Sequence, residues 1–79
     1  MGTMEFKSLV EKAVNDLREE YPKVEIKLEY SPLGHYKVSF ICNGKTRART
    51  IDESIMTMIS PKGYLEWLLH KECVTVYGG

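Results

Sequence analysis

The chain has no excess of charge of either sign, since 11 Lys and Arg residues balance 11 Asp and Glu residues. This balance excludes a uniformly basic nucleic-acid-binding protein and an acidic tail. No apolar run approaches the roughly 18 residues of a membrane-spanning helix, so no membrane partner is expected. At 79 residues the chain is also too short for a two-domain enzyme.

Cysteine and histidine are scarce, with two of each. The sequence starts without a secretory signal, so the expected compartment is the cytoplasm, where Cys42 and Cys73 would stay reduced. A zinc site built from His35, Cys42, His70 and Cys73 would need all four to converge, but His35 and Cys42 point to opposite faces of one strand. We therefore expect no metal and no other cofactor.

Motifs that support catalysis are also missing. The chain has no glycine-rich phosphate loop, no G-x-S-x-G and no H-E-x-x-H. His70 and Cys73, one helical turn apart, are the one pair that resembles an activated thiolate. A histidine near a helix C-terminus also has a purely structural explanation, because its charge favours the helix dipole. The sequence therefore predicts a protein that is not an enzyme.

The two ends are expected to lie outside the folded domain. Met4 follows Met1-Gly2-Thr3 closely, so we interpret residues 1–3 as an appended leader and Met4 as the natural start. Residues 4–77 would form one domain, and Gly78-Gly79 a frayed tail.

Hydrophobic periodicity predicts a helix followed by three strands. Residues 4–21 repeat apolar side chains at helical spacing, and Pro22 ends that helix. Residues 23–30 and 35–42 alternate apolar and polar side chains, as half-buried strands do. Asn43-Gly44 is a strong hairpin signal before a third strand at 45–51.

The register of this hairpin depends on where Arg47 and Arg49 lie. A two-residue turn would place them opposite Phe40 and Val38 on the buried face, which is unfavourable unless their charges have partners. A three-residue loop with Gly44 in a bulge pairs Phe40 with Thr46 instead and keeps every charge in water. The sequence therefore favours the three-residue loop.

The C-terminal third predicts a second helix and a fourth strand. Residues 52–60 are either a helical turn or a packed loop. Ser60-Pro61 is a typical helix start, and the helix should run to about Lys71 with Trp67 as its anchor on the sheet. Residues 73–77 are rich in β-branched side chains and predict a short C-terminal strand. The fold class is thus α+β in two layers: N-terminal helix, three-stranded antiparallel meander, second helix, C-terminal strand.

Residues 31–51 carry four basic and no acidic side chains, which is unusual in a chain that is neutral overall. In the favoured register the four basic side chains share one solvent face with His35. They are Lys37, Lys45, Arg47 and Arg49. Neighbouring acidic residues would neutralise this face if it served only solubility. A binding role predicts a small non-enzymatic regulator or inhibitor whose basic hairpin meets an acidic protein surface.

A nucleic-acid-binding module is the alternative, with the same four basic residues on phosphates and His35 stacking as a minor aid. The stretch from Gly34-His35 to Phe40, followed by Asn43-Gly44-Lys45, resembles the Gly-His stretch and meander of double-stranded RNA-binding domains. This resemblance in element order covers about half of the chain. The chain departs from it at Ser60-Pro61-Lys62-Gly63, which has one lysine where those domains have a lysine-rich helix start, and in the extra fourth strand.

The oligomeric state is open between monomer and homodimer. The predicted strand with Val74, Val76 and Tyr77 would have a free edge that a second copy could pair with.

Overall fold

A computed structural model describes residues 2–78 of the chain, with side chains from Glu5 to Gly78. A first helix, α1 (Gly2–Glu20), is followed by three strands, β1 (Glu25–Ser31), β2 (His35–Cys42) and β3 (Lys45–Asp52). A short 3₁₀ helix (Glu53–Thr57) then leads into α2 (Pro61–Gly78). The N-terminal helix, the three-stranded antiparallel sheet and the second helix are as predicted, so the α+β class is confirmed.

The ends of the two helices do not coincide with the predicted bounds of the domain, residues 4–77. The first helix begins at Gly2, so it includes two residues of the segment interpreted as a leader, and Gly78 belongs to α2. Met1 and Gly79 lie outside the described residues. Tyr21 donates its amide to the Leu17 carbonyl at 2.7 Å, and the helix ends at Glu20, close to Pro22, as the proline predicts.

The sheet is an antiparallel meander in the order β1-β2-β3. Its buried side chains all lie on one face, because paired positions across the strands share a face: Ile26 pairs with Phe40, and Tyr36 with Ile51. Both helices pack against that face. The opposite face carries no buried residue among those described, so the domain has two layers.

The segment left open between a helical turn and a loop is the 3₁₀ helix. Its N-cap is Asp52, whose carboxylate accepts a hydrogen bond from the Ser54 amide at 3.0 Å. Ile55 is buried in the core and holds this turn against the domain.

The start of α2 is as the sequence predicts. Ser60 accepts a hydrogen bond from the Gly63 amide through its hydroxyl at 3.3 Å, and Pro61 is the first helical residue. The predicted C-terminal strand is wrong, because α2 continues without a break to Gly78.

Burial explains why the β-branched segment stays helical. On α2 the buried residues recur at helical spacing: Leu65, Leu68, Leu69, Glu72, Cys73 and Val76. Valine and threonine cost only a few tenths of a kcal/mol each in a helix, less than burying Cys73 and Val76 gains. No proline or glycine lies between Gly63 and Gly78 to stop the helix. The proposed pairing of a free C-terminal strand with a second copy therefore has no strand to use.

Trp67 is not the anchor of α2. Its side chain is 58% exposed, with the Lys71 ammonium 5.1 Å from the ring centroid. Leu65 and Leu69, both fully buried, hold α2 in the core instead. They share that core with α1 and the strands through Val10, Val14, Val38 and Phe40.

Candidate functional site

The turn between β2 and β3 sets the position of every basic residue in the hairpin. Asn43 has a φ of 52° and Gly44 a φ of 81°, the left-handed pair that a two-residue type I′ turn requires. Cys42 accordingly pairs with Lys45, Phe40 with Arg47 and Val38 with Arg49. The predicted three-residue loop is wrong, and its register is off by one residue.

A shift of one residue moves every side chain of β3 to the other face of the sheet. Lys45, Arg47 and Arg49 lie on the helix side, in phase with buried Ile51. The single solvent face predicted for all the basic residues therefore does not exist.

Lys37 and His35 lie on the open face. Lys37 is across from Glu29 of β1 and Thr50 of β3, and His35 is across from Asp52. Of the five residues predicted to bind a partner, the structure thus brings together three, Lys45, Arg47 and Arg49, which we call the cationic strip.

Glu72 of α2 is what makes arginines acceptable on the helix side. Its side chain is 1% exposed, and each of its two oxygens receives one arginine. Arg47 Nε donates to Oε1 at 2.8 Å, and Arg49 Nε lies 3.4 Å from Oε2. The carboxylate thereby provides the charge partner whose absence would have disfavoured this register.

The cluster keeps a net positive charge, because two guanidinium groups share one carboxylate. The hydrogen bond and negative charge of Glu72 raise the pKa of Arg47. Both arginines use Nε for the carboxylate, on side chains that are 49% and 40% exposed. Their terminal nitrogens are therefore available to a carboxylate or phosphate that approaches from solvent.

The strand that carries the strip is at the edge of the sheet, since among the described strands β3 pairs only with β2. Charged side chains on an edge strand disfavour pairing with an apolar or cationic strand. They favour an acidic one, because opposite charges attract across neighbouring strands.

Sequence reasoning missed Glu72, although the sequence contained a signal for it. Glu72 follows Leu65 by seven residues and Leu68 by four, so it falls on the apolar side of its helix. A carboxylate at a core position requires a cationic partner, and Arg47 and Arg49 are two residues apart, as they must be to share one face of a strand.

The cysteines and histidines are not part of this ion-pair cluster. Cys42 and Cys73 are buried free thiols. Burial, followed by the charges of Glu20 and Glu72, raises the pKa of Cys73 to about 11, the opposite of what a thiolate nucleophile needs. His70 is exposed on α2, where the Tyr21 hydroxyl lies 3.0 Å from its Nε2. Within residues 5–78, no group of three or more His, Cys, Asp or Glu side chains is arranged to hold a metal ion.

Comparisons of the chain with protein-family models, curated proteins and solved structures give no match. The resemblance to double-stranded RNA-binding domains thus rests on the order of elements and the Gly34-His35 stretch alone. In the part of the chain that the structure describes, neither helix is long and apolar enough to cross a membrane.

Proposed function

We propose that this chain is a small non-enzymatic regulator or inhibitor that binds an acidic segment of a partner protein along the cationic strip. The observation that carries the proposal is the pair of guanidinium groups, Arg47 and Arg49, which one buried carboxylate holds in place. Flexible cations on a surface lose side-chain entropy when they bind, whereas side chains that are already fixed lose less.

The spacing of the strip indicates how an acidic segment would bind. Lys45, Arg47 and Arg49 recur every second residue along an edge strand. A partner strand added to that edge would carry its own side chains with the same period of two. A segment with carboxylates at alternate positions would therefore place each one near a cation while its backbone pairs with β3.

Binding to the phosphates of a nucleic acid is less well supported. It was expected to use four cations on one face, and Lys37 lies on the opposite face of the sheet from the other three. Three phosphate contacts would give a log-log dependence of affinity on salt of about −3. Measuring this salt dependence therefore distinguishes binding to nucleic acid from binding to an acidic protein segment.

Charge reversal at Arg47 or Arg49 is a poor test, because it would place a second carboxylate beside buried Glu72. Lys45 is a better position, since it is exposed and belongs to the strip. Lys37 provides a matched control: it is an exposed lysine of the same hairpin, but on the other face.

The experiment is fluorescence anisotropy with a labelled peptide of alternating glutamate and threonine, and in parallel with labelled duplex DNA and RNA. We expect the acidic peptide to bind, Lys45→Glu to weaken binding several-fold and Lys37→Glu to leave it nearly unchanged. Equal losses from both variants would remove the strip from the interface. Tighter binding of nucleic acid with a salt slope near −3 would replace the proposal with the nucleic-acid alternative.

A further inference from the structure

A cleft at the other end of the sheet from the Asn43-Gly44 turn has features of a ligand site. It has a volume of about 440 Å³, within the range of small-molecule pockets. It lies between the first turns of α1, the β1–β2 turn at Gly34 and the start of the 3₁₀ helix at Glu53. None of the residues of the cationic strip lines it.

Three aromatic rings form one wall of this cleft. The ring centroids of Phe6 and Tyr36 are 5.4 Å apart, and those of Tyr30 and Tyr36 are 5.0 Å apart, with both pairs tilted. Phe6 and Tyr36 are buried, but Tyr30 is 57% exposed at the rim. The faces of such rings carry partial negative charge and attract cations.

The charged groups of the cleft add to its negative character. Glu11 and Glu53 contribute carboxylates, and Lys7 contributes the one ammonium group among the lining residues. Among residues 5–78, the ion pairs within 4.0 Å involve other groups, so neither carboxylate is neutralised by direct contact with Lys7.

Tyr36 offers an unused polar group at the same place. The residue is 5% exposed, and its hydroxyl has no hydrogen-bond partner among the residues whose side chains are described. Tyr36 is also one of the residues that line the solvent-filled cleft. Burial, then the charge of Glu11, raises the pKa of Tyr36, which keeps the hydroxyl a neutral acceptor and donor.

We propose that this cleft binds an organic ammonium group, with Tyr30, Tyr36 and Phe6 around its apolar surface and Glu11 and Glu53 balancing its charge. An anion would be repelled by the two carboxylates. A neutral apolar ligand would bury its surface against the rings but would leave both carboxylates without a charge partner. A methylated ammonium ion satisfies both parts of the site.

The test uses the intact chain and amide nitrogen–proton NMR spectra. Tetramethylammonium chloride is titrated into the protein. Separate titrations use tert-butanol, a neutral molecule of similar size, and sodium chloride at equal ionic strength. We expect saturable shifts of the Gly34 and Glu53 amides with tetramethylammonium and not with the other two. A peptide carrying trimethyllysine is titrated in parallel: tighter binding than the free ion assigns the cation to a partner chain, and equal binding assigns it to a small amine.

Two variants connect the binding to the named residues. Glu53→Gln should weaken it roughly twofold to fivefold, as loss of one partly exposed charge contact does. Tyr30→Leu should weaken it and Tyr30→Phe should preserve it, because the ring face is retained. Glu66→Gln, which removes a carboxylate from the groove between α1 and α2, is the matched control and should have no effect.

Two results would overturn the inference. Equal binding of tert-butanol and tetramethylammonium would make the cleft merely apolar. Shifts that grow linearly with tetramethylammonium, or that match those caused by sodium chloride, would show no site for the cation. Dispersed spectra of each variant establish that it is folded, so a loss of binding is not a loss of structure.

Discussion

The sheet is covered by helices in two different ways along its width. On the central strand β2, which α2 contacts, the core is sealed by apolar side chains, with Val38 and Phe40 fully buried. On the edge strand β3, which α2 also contacts, the inward positions hold Arg47 and Arg49, and the carboxylate of Glu72 pairs with both guanidinium groups. The apolar part around Val38 and Phe40 is stabilised by the exclusion of water. The ionic part, formed by Arg47, Arg49 and Glu72, adds little net stability and requires its charged groups to keep one geometry. The difference shows that a small core can tolerate arginines at its edge if one carboxylate is placed to receive them.

Truncation in the apolar part should have the largest effect. Phe40→Ala removes a ring that is fully buried, and we expect it to lower the free energy of unfolding by about 3–5 kcal/mol. Urea denaturation followed by circular dichroism measures this loss. Phe40→Leu, which keeps most of the volume, is the control and should cost clearly less. If alanine costs no more than leucine, the apolar part does not dominate the stability.

Removing the cations from the ionic part should have the next largest effect. Arg47→Ala with Arg49→Ala leaves the Glu72 carboxylate buried without a charge partner, which should cost about 2–3 kcal/mol. The two arginine side chains are 49% and 40% exposed to water, so the cost stays below that of a fully enclosed pair. The same denaturation experiment measures it.

A second substitution tests the cause of that loss. Adding Glu72→Met to the double arginine variant removes the unpaired charge and should restore most of the stability. Lys37→Ala, on the open face, should change stability by no more than about 0.5 kcal/mol. A triple variant no more stable than the double would mean that the arginine stems, and not the charge of Glu72, account for the cost.

Raising the pH probes the boundary between the two parts, where Cys73 adjoins Glu72 on α2. The pKa of this thiol is raised from 9.0 to about 11, so the fold favours its protonated form. Its contribution is therefore fully present below pH 9 and is lost as the pH rises through 11, by up to about 3 kcal/mol. Unfolding measured at several pH values should show this decline.

The control for the pH experiment is the other buried thiol. Cys73→Ala should lessen the decline in stability between pH 9 and pH 11, with the raised pKa of Tyr36 accounting for part of what is left, and Cys42→Ala should leave the decline in place. An equally steep decline in the chain with Cys73→Ala would assign the pH dependence to other groups.

The smallest effect concerns the turn that keeps the arginines on the helix side. Gly44 has a φ of 81° and open space around a Cβ built on it, so Gly44→Ala adds only backbone strain, about 1 kcal/mol. Asn43→Gly, which also permits a positive φ, is the control and should cost less. Thermal unfolding distinguishes the two, and an equal loss would mean that the turn does not depend on its left-handed residues.

The sequence predicted the elements better than their contacts. The period of α1 and of the strands, the stop at Pro22 and the start at Ser60 are local signals, and each of them holds. The fourth strand failed because β-branched residues only weakly oppose a helix, while Leu69, Cys73 and Val76 meet the core if the helix continues. Trp67 failed as the anchor because size alone does not show which side of a helix faces inward.

The candidate site was predicted in composition and not in geometry. The basic bias of residues 31–51 identified Lys45, Arg47 and Arg49, but it grouped them with Lys37 and His35. The error came from treating the charge of each arginine as unpartnered, when its partner lies 25 or fewer residues further along, on a helix. Their role in binding a partner stays a prediction.

By itself, the sequence determined the order of helix, meander and helix, because apolar periodicity, proline and caps act within a few residues. It also indicated a hairpin at Asn43-Gly44, although the two-residue turn with its two positive φ angles was not the turn predicted. Only the tertiary structure decided which face of β3 is inward and how far α2 extends. Both depend on the contact between Glu72 and the arginines and on the burial around Cys73, where residues distant in the chain determine each other's free energy.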